Sequence, residues 1–225
     1  MRLYIDSADI EAIKRIYEYY PVHGVTTNPT ILYRAGKDPY KVLKEIKKII
    51  GADELFVQVV STTAEEMVRE AKAIRSVLGA ETIIKVPVNR EGLKALKLMK
   101  KEGIRTAATA IYTLQQAYLA CQAGAGFIAP YVNRITKQGH DGIAMVKDMQ
   151  AMIDSSKYET RILAASFREV DQLTALVVTN VFSATVAPDL IEELLHNSAV
   201  DEAVDNFNRD FEKLCGPGAT MRSIK

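Results

Sequence analysis

Residues 55–88, LFVQVVSTTAEEMVREAKAIRSVLGAETIIKVPV, contain the pattern that decides the fold. The apolar runs Leu55–Val60 and Thr82–Val86 are short and rich in branched side chains, which is typical of buried strands. Between them, apolar residues recur every three or four positions from Met67 to Leu78, which predicts an amphipathic helix. The polar stretch Ser61–Glu65 offers N-terminal caps for that helix. Strand, helix and strand in this order form the repeating unit of a parallel sheet.

The same alternation continues along the whole chain. Eight strand-like runs are separated by segments with helical periodicity: Leu3–Ile5, Gly24–Thr26, Leu55–Val60, Thr82–Val86, Thr106–Ala110, Gly126–Pro130, Arg161–Ala165 and Phe182–Val186. Eight alternations in 225 residues favour a closed (β/α)8 TIM barrel over an open doubly wound sheet. We therefore expect one α/β barrel domain over residues 1–225.

A further helix is predicted after the eighth strand, beyond what the barrel requires. Residues 199–225 form this extra C-terminal helix and a short tail, and apolar side chains mark one face of the helix at Val200, Val204, Phe207, Phe211 and Leu214. Such a face packs either on its own domain or on a neighbouring subunit.

Composition limits the classes of partner. The formal net charge is +1, and 25% of residues are charged, so no excess of basic residues points to nucleic acid or an anionic membrane. The chain has two cysteines, Cys121 and Cys215, without the spacing of a disulfide framework or a metal cluster. The first twenty residues lack an apolar signal core, and no apolar run reaches membrane-spanning length. We expect a soluble cytoplasmic protein with no nucleic-acid or membrane partner.

Lys85 interrupts the otherwise apolar run of residues 82–88. One interpretation is an edge-strand lysine or one that extends its ammonium to solvent. The other is a buried lysine, whose pKa desolvation lowers, so that its neutral amine can attack a carbonyl and form a Schiff base.

Polar residues follow the predicted strands at the point where a barrel builds its active site. They are Asp6, Thr26, Asn28, Gln58, Lys85, Thr109, Tyr131, Arg134, Ser166 and Arg168. Taken singly, several have simple explanations as helix caps, strand fillers or satisfied core amides. Together they bring an amine, a carboxylate, amides, a phenol and guanidinium groups to one end of the barrel, where burial without function would be costly.

Three of these residues suggest an anion site. Arg134, Ser166 and Arg168 follow the sixth and seventh strands and can hold a phosphate through charge-assisted hydrogen bonds, unless the arginines are plain surface residues. Neither a Walker loop nor a Gly-x-Gly-x-x-Gly motif occurs, so a sugar phosphate is favoured over a nucleotide. The three histidines have no metal-ligand spacing, and we predict no metal.

At these positions the chain resembles the small-subunit transaldolase family, and within it the fructose-6-phosphate aldolases. The similarity extends from Leu3 to about Phe211. It is carried by the motifs Tyr4-Ile5-Asp6, Gly24-Val25-Thr26-Thr27-Asn28-Pro29, Phe56-Val57-Gln58-Val59, Ile84-Lys85-Val86-Pro87, Ala129-Pro130-Tyr131-Val132-Asn133-Arg134 and Ala164-Ala165-Ser166-Phe167.

The resemblance implies a cofactor-independent class I aldolase or transaldolase on a (β/α)8 barrel. Lys85 matches the Schiff-base lysine, Asp6 the carboxylate that assists proton transfer, and Asn28 a substrate-binding amide. Gln58, Thr109 and Tyr131 match the groups that hold the catalytic water or act as acid and base. The resemblance also assigns the phosphate to Arg134, Ser166 and Arg168, and implies a homodecamer of two pentameric rings.

Two positions separate the branches of the family. Transaldolases usually have Glu where this chain has Gln58 and Phe where it has Tyr131, so the resemblance favours an aldolase, with transaldolase as the alternative. A phenol can carry a proton that a phenyl ring cannot. Ala107-Ala108 replaces the Leu-Gly pair of the aldolase branch, which predicts a wider donor pocket.

A non-catalytic barrel that binds sugar phosphates is a third interpretation, because fold does not fix function.

Overall fold

The computed structural model describes residues 1–224, and eight parallel strands in them close into one barrel in chain order. The strands are β1 (Arg2–Asp6), β2 (Gly24–Thr26), β3 (Glu54–Gln58), β4 (Ile83–Pro87), β5 (Thr106–Ile111), β6 (Phe127–Pro130), β7 (Arg161–Ala164) and β8 (Ser183–Val186). Pairing of β1 with β8 closes the barrel. The predicted (β/α)8 TIM-barrel fold is confirmed, and every strand boundary lies within two residues of its predicted place.

The described residues contain eleven helices. They are α1 (Ile10–Tyr19), α2 (Pro29–Ala35), α3 (Pro39–Ile50), α4 (Ala64–Leu78), α5 (Arg90–Lys101), α6 (Leu114–Gln122), α7 (Val132–Lys137), α8 (Gly142–Ser156), α9 (Val170–Val177), α10 (Pro188–Glu193) and α11 (Ser198–Cys215).

The largest boundary difference is at the end of β3, which we predicted to reach Val60. The Val59 amide still donates to the Lys85 carbonyl at 3.1 Å. The Val60 amide instead donates to the Glu70 carboxylate of α4, at 3.0 Å to Oε1. Hydrogen bonding to β4 therefore ends with the Val59 amide, because a helix side chain takes up the Val60 amide.

Side chains cap two of the helices that follow strands directly. Asp9 accepts from the Glu11 and Ala12 amides at the start of α1, and Asn28 accepts from the Ile31 amide at the start of α2. Thr63 lies at the cap position of α4 but makes no side-chain capping bond. There the Glu91 carboxylate of α5 accepts from the Ala64 amide at 2.9 Å, so that a neighbouring helix satisfies it.

Side chains pack in two separate layers. A large cluster fills the space between strands and helices, whereas a smaller one lies inside the barrel: Tyr4, Phe56, Ile83, Ala107, Phe127, Ala129 and Leu163. Because side chains alternate along a strand, residues two positions further on face the same interior. That places Asp6, Gln58, Lys85 and Thr109 directly above the apolar interior cluster, at the carboxyl ends of their strands.

The opposite end of the barrel is closed by a polar network. Glu54 at the start of β3 accepts hydrogen bonds from the Tyr4 hydroxyl and the Arg105 guanidinium. Arg2 and Arg161 lie over the Phe182 ring, with guanidinium carbons 5.2 and 4.2 Å from its centroid. Burial opposes ionisation of Glu54, but the two hydrogen bonds outweigh it and lower the pKa of its carboxyl.

The chain divides into two compact units. Met1–Ile191 holds all eight strands, and the second unit begins at Glu192 and holds α11. Helix α11 confirms the predicted C-terminal helix, and Val200, Val204, Phe207 and Leu214 on it are exposed. Its predicted packing on a neighbouring subunit stays a prediction. Within residues 1–224, no helix is both long enough and apolar enough to cross a membrane.

Candidate active site

Lys85 lies in the middle of β4 with only 4% of its surface exposed. Its Nζ donates to the Thr27 carbonyl at 2.9 Å. Burial lowers the pKa of Lys85, and the negative charge of Asp6 opposes the shift only in part. The edge-strand interpretation is therefore wrong. A buried amine whose charged form is disfavoured is the nucleophile that imine formation requires.

Asp6 ends β1 beside Thr26 of β2, and the two residues are partners in the strand register. The Thr26 hydroxyl donates to Asp6 Oδ1 at 2.7 Å. Thr26 Oγ1 also lies 2.6 Å from Thr185 Oγ1 of β8, and both threonines are buried. A chain of hydrogen bonds thus links the carboxylate to two hydroxyls inside the barrel.

Tyr131 follows β6 and reaches Thr109 of β5, with 3.1 Å between the two hydroxyl oxygens. Burial raises the pKa of the Tyr131 phenol, while the Thr109 hydrogen bond and the Arg134 charge pull it down. The phenol therefore keeps its proton near neutral pH and is able to donate it.

A bulge in β5 accompanies this contact. The register of β5 against β6 shifts between Thr109 and Ile111, and Ala110 between them has φ of 60°. Ser166, just after β7, has φ of 64°. Non-glycine residues rarely adopt this conformation, and strained positions cluster at functional sites. Both lie at the carboxyl ends of the strands that flank β6.

Arg134 of α7 packs on the Tyr131 ring, with its guanidinium carbon 4.7 Å from the ring centroid. Its Nη1 donates to the Tyr112 hydroxyl at 3.4 Å. Tyr112 in turn meets the Tyr131 ring edge to face at 5.6 Å. The guanidinium is thereby held beside the candidate acid.

Gln58 and Asn28 differ in how their amides are used. Gln58 pairs with Lys85 in the β3–β4 register, which sets the two residues side by side. Asn28 Oδ1 caps α2, accepting from the Ile31 amide at 3.0 Å. The Asn28 cap leaves its NH2 group to serve a substrate.

The predicted phosphate residues are only partly brought together. Ser166 and Arg134 stand near one another through the backbone, since the Asn133 amide of α7 donates to the Ser166 carbonyl at 3.0 Å. Arg168 is exposed, and its backbone amide donates to Gln172 Oε1 at 2.9 Å. Among residues 1–224, no hydrogen bond joins the Arg168 guanidinium to Arg134 or Ser166.

A family model described as Transaldolase/Fructose-6-phosphate aldolase matches residues 3–218. The chain belongs to this family. The resemblance drawn from the sequence motifs is confirmed, and with it the assignment to a family of aldolase and transaldolase enzymes.

Solved structures show the same barrel in other proteins. A racemase from Streptomyces coelicolor A3(2) with bound magnesium shares 16% identity at a TM-score of 0.55, over 83% of this chain and 52% of the racemase. A mandelate oxidase mutant with a monooxide FMN adduct shares 12% identity at a TM-score of 0.58, over 95% of this chain and 73% of the oxidase. The transaldolase/fructose-6-phosphate aldolase chain thus spans about half the length of the racemase. At these identities the likeness concerns the fold alone.

Sequence reasoning missed two residues of this transaldolase/fructose-6-phosphate aldolase site. Tyr112 follows β5 as the other polar residues follow their strands, so its position alone was a usable signal. Thr185 had no such signal, because a threonine inside a strand is ordinary β-branched filling. Only its contact with Thr26 distinguishes it.

Two cavities of about 590 Å3 each flank α2 at this end of the barrel. One reaches Asp6 and includes Arg34 and Lys37 in its lining. The other reaches Gln58 and is lined by Tyr33 of α2 and Tyr40 of α3. Ala107, the register partner of Lys85, belongs to the apolar interior cluster, so a small side chain lies beside Lys85 on β5.

Proposed function

We propose that this protein is a class I aldolase that cleaves or forms fructose 6-phosphate. Its products or substrates are glyceraldehyde 3-phosphate and dihydroxyacetone, or a similar ketone donor such as hydroxyacetone. The observation that carries the proposal is the buried Lys85 amine, whose pKa burial lowers.

The first step joins Lys85 to the ketone. Its neutral Nζ attacks the carbonyl carbon to give a carbinolamine, which loses water and becomes an iminium. Asp6 lies close enough for its charge to act on Lys85, and it is suited to pass protons during the loss of water and to orient the donor.

The second step breaks the carbon–carbon bond. A base removes the proton of the hydroxyl on the carbon that becomes the aldehyde, the bonding electrons flow into the iminium, and an aldehyde and an enamine result. Protonation of the enamine restores the iminium, and water releases the ketone from Lys85. We assign the proton transfer to Tyr131, working with a water held by Gln58 and Thr109. The neutral phenol donates its proton to the aldehyde oxygen when the bond forms, and cleavage returns the proton along the same path. The Thr109–Tyr131 contact of 3.1 Å supports this role.

The phosphate of the aldehyde requires cationic and hydroxyl partners. We assign it to Arg134, Ser166 and Arg168. On the donor side we assign Asn28 directly and Thr26 through its hydrogen bond to Asp6. Arg134 supports the assignment because it lies beside Tyr131, where the aldehyde carbonyl forms.

A transaldolase would use the same imine but pass the three-carbon unit to a second sugar phosphate. Tyr131 favours the aldolase over the transaldolase, because by the resemblance transaldolases usually have a phenylalanine at this position. The test is a side-by-side assay on fructose 6-phosphate, with and without erythrose 4-phosphate. We expect release of free dihydroxyacetone in both; much faster transfer to erythrose 4-phosphate would reverse the order of the two activities.

We also propose that the enzyme is a homo-oligomer, a decamer by family resemblance, in which a second copy covers the apolar face of α11. The exposed Val200, Val204 and Phe207 support the proposal. Analytical ultracentrifugation of the wild type and of Phe207→Glu tests it. We expect a decamer that Phe207→Glu dissociates, and a monomeric wild type would refute the proposal.

For the compartment we propose the cytoplasm. Cys121 and Cys215 are both free thiols, which suits a reducing compartment. Cell fractionation with detection of the protein is the test, and recovery outside the cytoplasmic fraction would contradict it.

A further inference from the structure

Thr26 and Thr185 form a buried hydroxyl pair behind Asp6. Thr26 has no exposed surface and Thr185 only 2%. Their oxygens are 2.6 Å apart, and the Thr26 hydroxyl lies 2.7 Å from Asp6 Oδ1. The three groups come from β2, β8 and β1, so the contact bridges the strands at the seam where the barrel closes.

Counting protons sets the direction of these bonds. A carboxylate accepts only, so the single hydroxyl proton of Thr26 goes to Asp6. Thr26 then has no proton for Thr185, and the Thr185 hydroxyl must donate to Thr26 Oγ1. Both hydrogen bonds therefore run in one direction: Thr185 donates to Thr26, and Thr26 donates to the Asp6 carboxylate.

We propose that Thr185 is a positioning residue for Asp6, acting through Thr26. Its proton occupies a lone pair of Thr26 and fixes the Thr26 hydroxyl in the orientation that donates to Asp6 Oδ1. Hydrogen bonds in such a chain also polarise one another, which strengthens the bond to the carboxylate. Oδ2 of Asp6 is left for the protons of imine formation. The inference rests on the proposed aldolase function for its kinetic consequence, but the geometry of the chain can be tested without it.

A space-filling role for the Thr185 methyl and a positioning role for its hydroxyl predict opposite effects of Val and Ser substitutions. If Thr185 only fills space, Val at this position preserves the shape and Ser leaves a small gap. If Thr185 positions Asp6, Val removes the donor and Ser retains it. Ser183, also buried on β8, offers a matched control because its hydroxyl donates to the Ile162 carbonyl at 2.8 Å and not to the Asp6 chain.

The experiment compares wild type, Thr185→Val, Thr185→Ser and Ser183→Ala. Turnover of fructose 6-phosphate is measured together with the rate at which borohydride traps the imine of dihydroxyacetone. We expect Thr185→Val to lower kcat and the trapping rate about three- to tenfold, the loss of one hydrogen bond. KM for the phosphorylated substrate should stay within about twofold, a limit set by the same scale. Thr185→Ser and Ser183→Ala should remain close to wild type.

Crystal structures of Thr185→Val and Thr185→Ser provide the second measurement. We expect the Thr26–Asp6 bond to lengthen or Asp6 to change rotamer in Thr185→Val and to persist in Thr185→Ser. An unchanged Thr26–Asp6 bond in Thr185→Val would overturn the inference, as would full activity of that variant. If wild-type protein traps no imine, the proposed function fails, while the crystal structures still decide whether Thr185 positions Asp6.

Discussion

Burial moves two residues toward their neutral forms from opposite directions. It lowers the pKa of Lys85 and raises that of Tyr131, so that the neutral amine and the neutral phenol are both favoured. Each neutral form is the one that its proposed step needs, a nucleophile for the ketone and a proton donor for the carbon–carbon step. At the scale of single residues, the proposed reactivity of both side chains therefore rests on desolvation by the barrel interior.

That desolvation has a cost in stability, which Lys85→Met should reveal. Met fills a similar volume without a charge to desolvate, and we expect the free energy of unfolding to rise by about 1–3 kcal/mol at neutral pH. Because the pKa is lowered only in the folded state, the unfolded chain takes up the proton first as the pH falls below about 10.4. The difference should therefore widen from pH 10 toward neutrality. Urea unfolding across this range measures it, and a variant no more stable than wild type at pH 7 would contradict the account.

Tyr131→Phe isolates the phenolic proton. Phe keeps the ring beneath Arg134 but loses the contact with Thr109. We expect cleavage of fructose 6-phosphate to fall about a hundredfold or more, since general acid–base groups contribute on this scale, while imine trapping persists. Tyr112→Phe is the control, because it removes a neighbouring phenol that does not touch Thr109. Equal losses in both variants would show that the aromatic cluster matters only for packing.

At the scale of elements, the ends of two strands both shape the local backbone and carry candidate catalytic or substrate-binding side chains. The loop from β2 into α2 carries Asn28, whose Oδ1 starts the helix. The break in β5 at Ala110 ends regular pairing just after Thr109. In both places the end of a strand is where a reactive side chain leaves the sheet, which is why capping and catalysis compete for the same positions.

Asn28→Asp separates those two purposes. Asp keeps the oxygen that caps α2, and a negative charge at a helix N-terminus is favourable, so the stability should not fall. The NH2 donor is lost, and we expect turnover to drop about three- to tenfold, the effect of one hydrogen bond to a substrate. Asn28→Ala should lose both turnover and about 1 kcal/mol of stability. Full turnover in Asn28→Asp would restrict Asn28 to its role as a cap.

For the barrel as a whole, a polar hydrogen-bond network and the candidate catalytic groups lie at opposite ends. At the amino-terminal end, Glu54 of β3 accepts hydrogen bonds from Tyr4 of β1 and from Arg105, which directly precedes β5. The candidate catalytic groups occupy the carboxyl-terminal end. Changes at the amino-terminal end should therefore alter stability without altering turnover.

Glu54→Gln tests this division. We expect it to reduce the free energy of unfolding by about 1–3 kcal/mol at neutral pH, because charge-assisted bonds are lost, while turnover is kept. The pKa of Glu54 is lowered in the folded state, so its contribution is complete above its ordinary value of about 4.3 and disappears as the pH falls through the folded value. The difference between wild type and variant should shrink in acid. A difference that persists undiminished at low pH, or a loss of turnover, would contradict the division.

The barrel was predictable because eight alternating runs in the sequence leave few topologies open. The residues at strand ends were predictable for the same reason, since the fold sends them to one end. Thr185 was not, because its role depends on a contact between residues 159 positions apart, which no local pattern encodes. The state of the Arg168 side chain was equally out of reach, because an exposed arginine has many rotamers and sequence does not select among them.

The central claim is that Lys85 forms an imine with a ketone donor. The most direct measurement is borohydride reduction in the presence of saturating dihydroxyacetone, followed by peptide mass spectrometry, with Lys85→Met as control. The account predicts one reduced three-carbon adduct per chain, on the peptide that contains Lys85, and none in the variant. An unmodified Lys85 under saturating donor, or an adduct on another lysine that supports normal turnover, would contradict it.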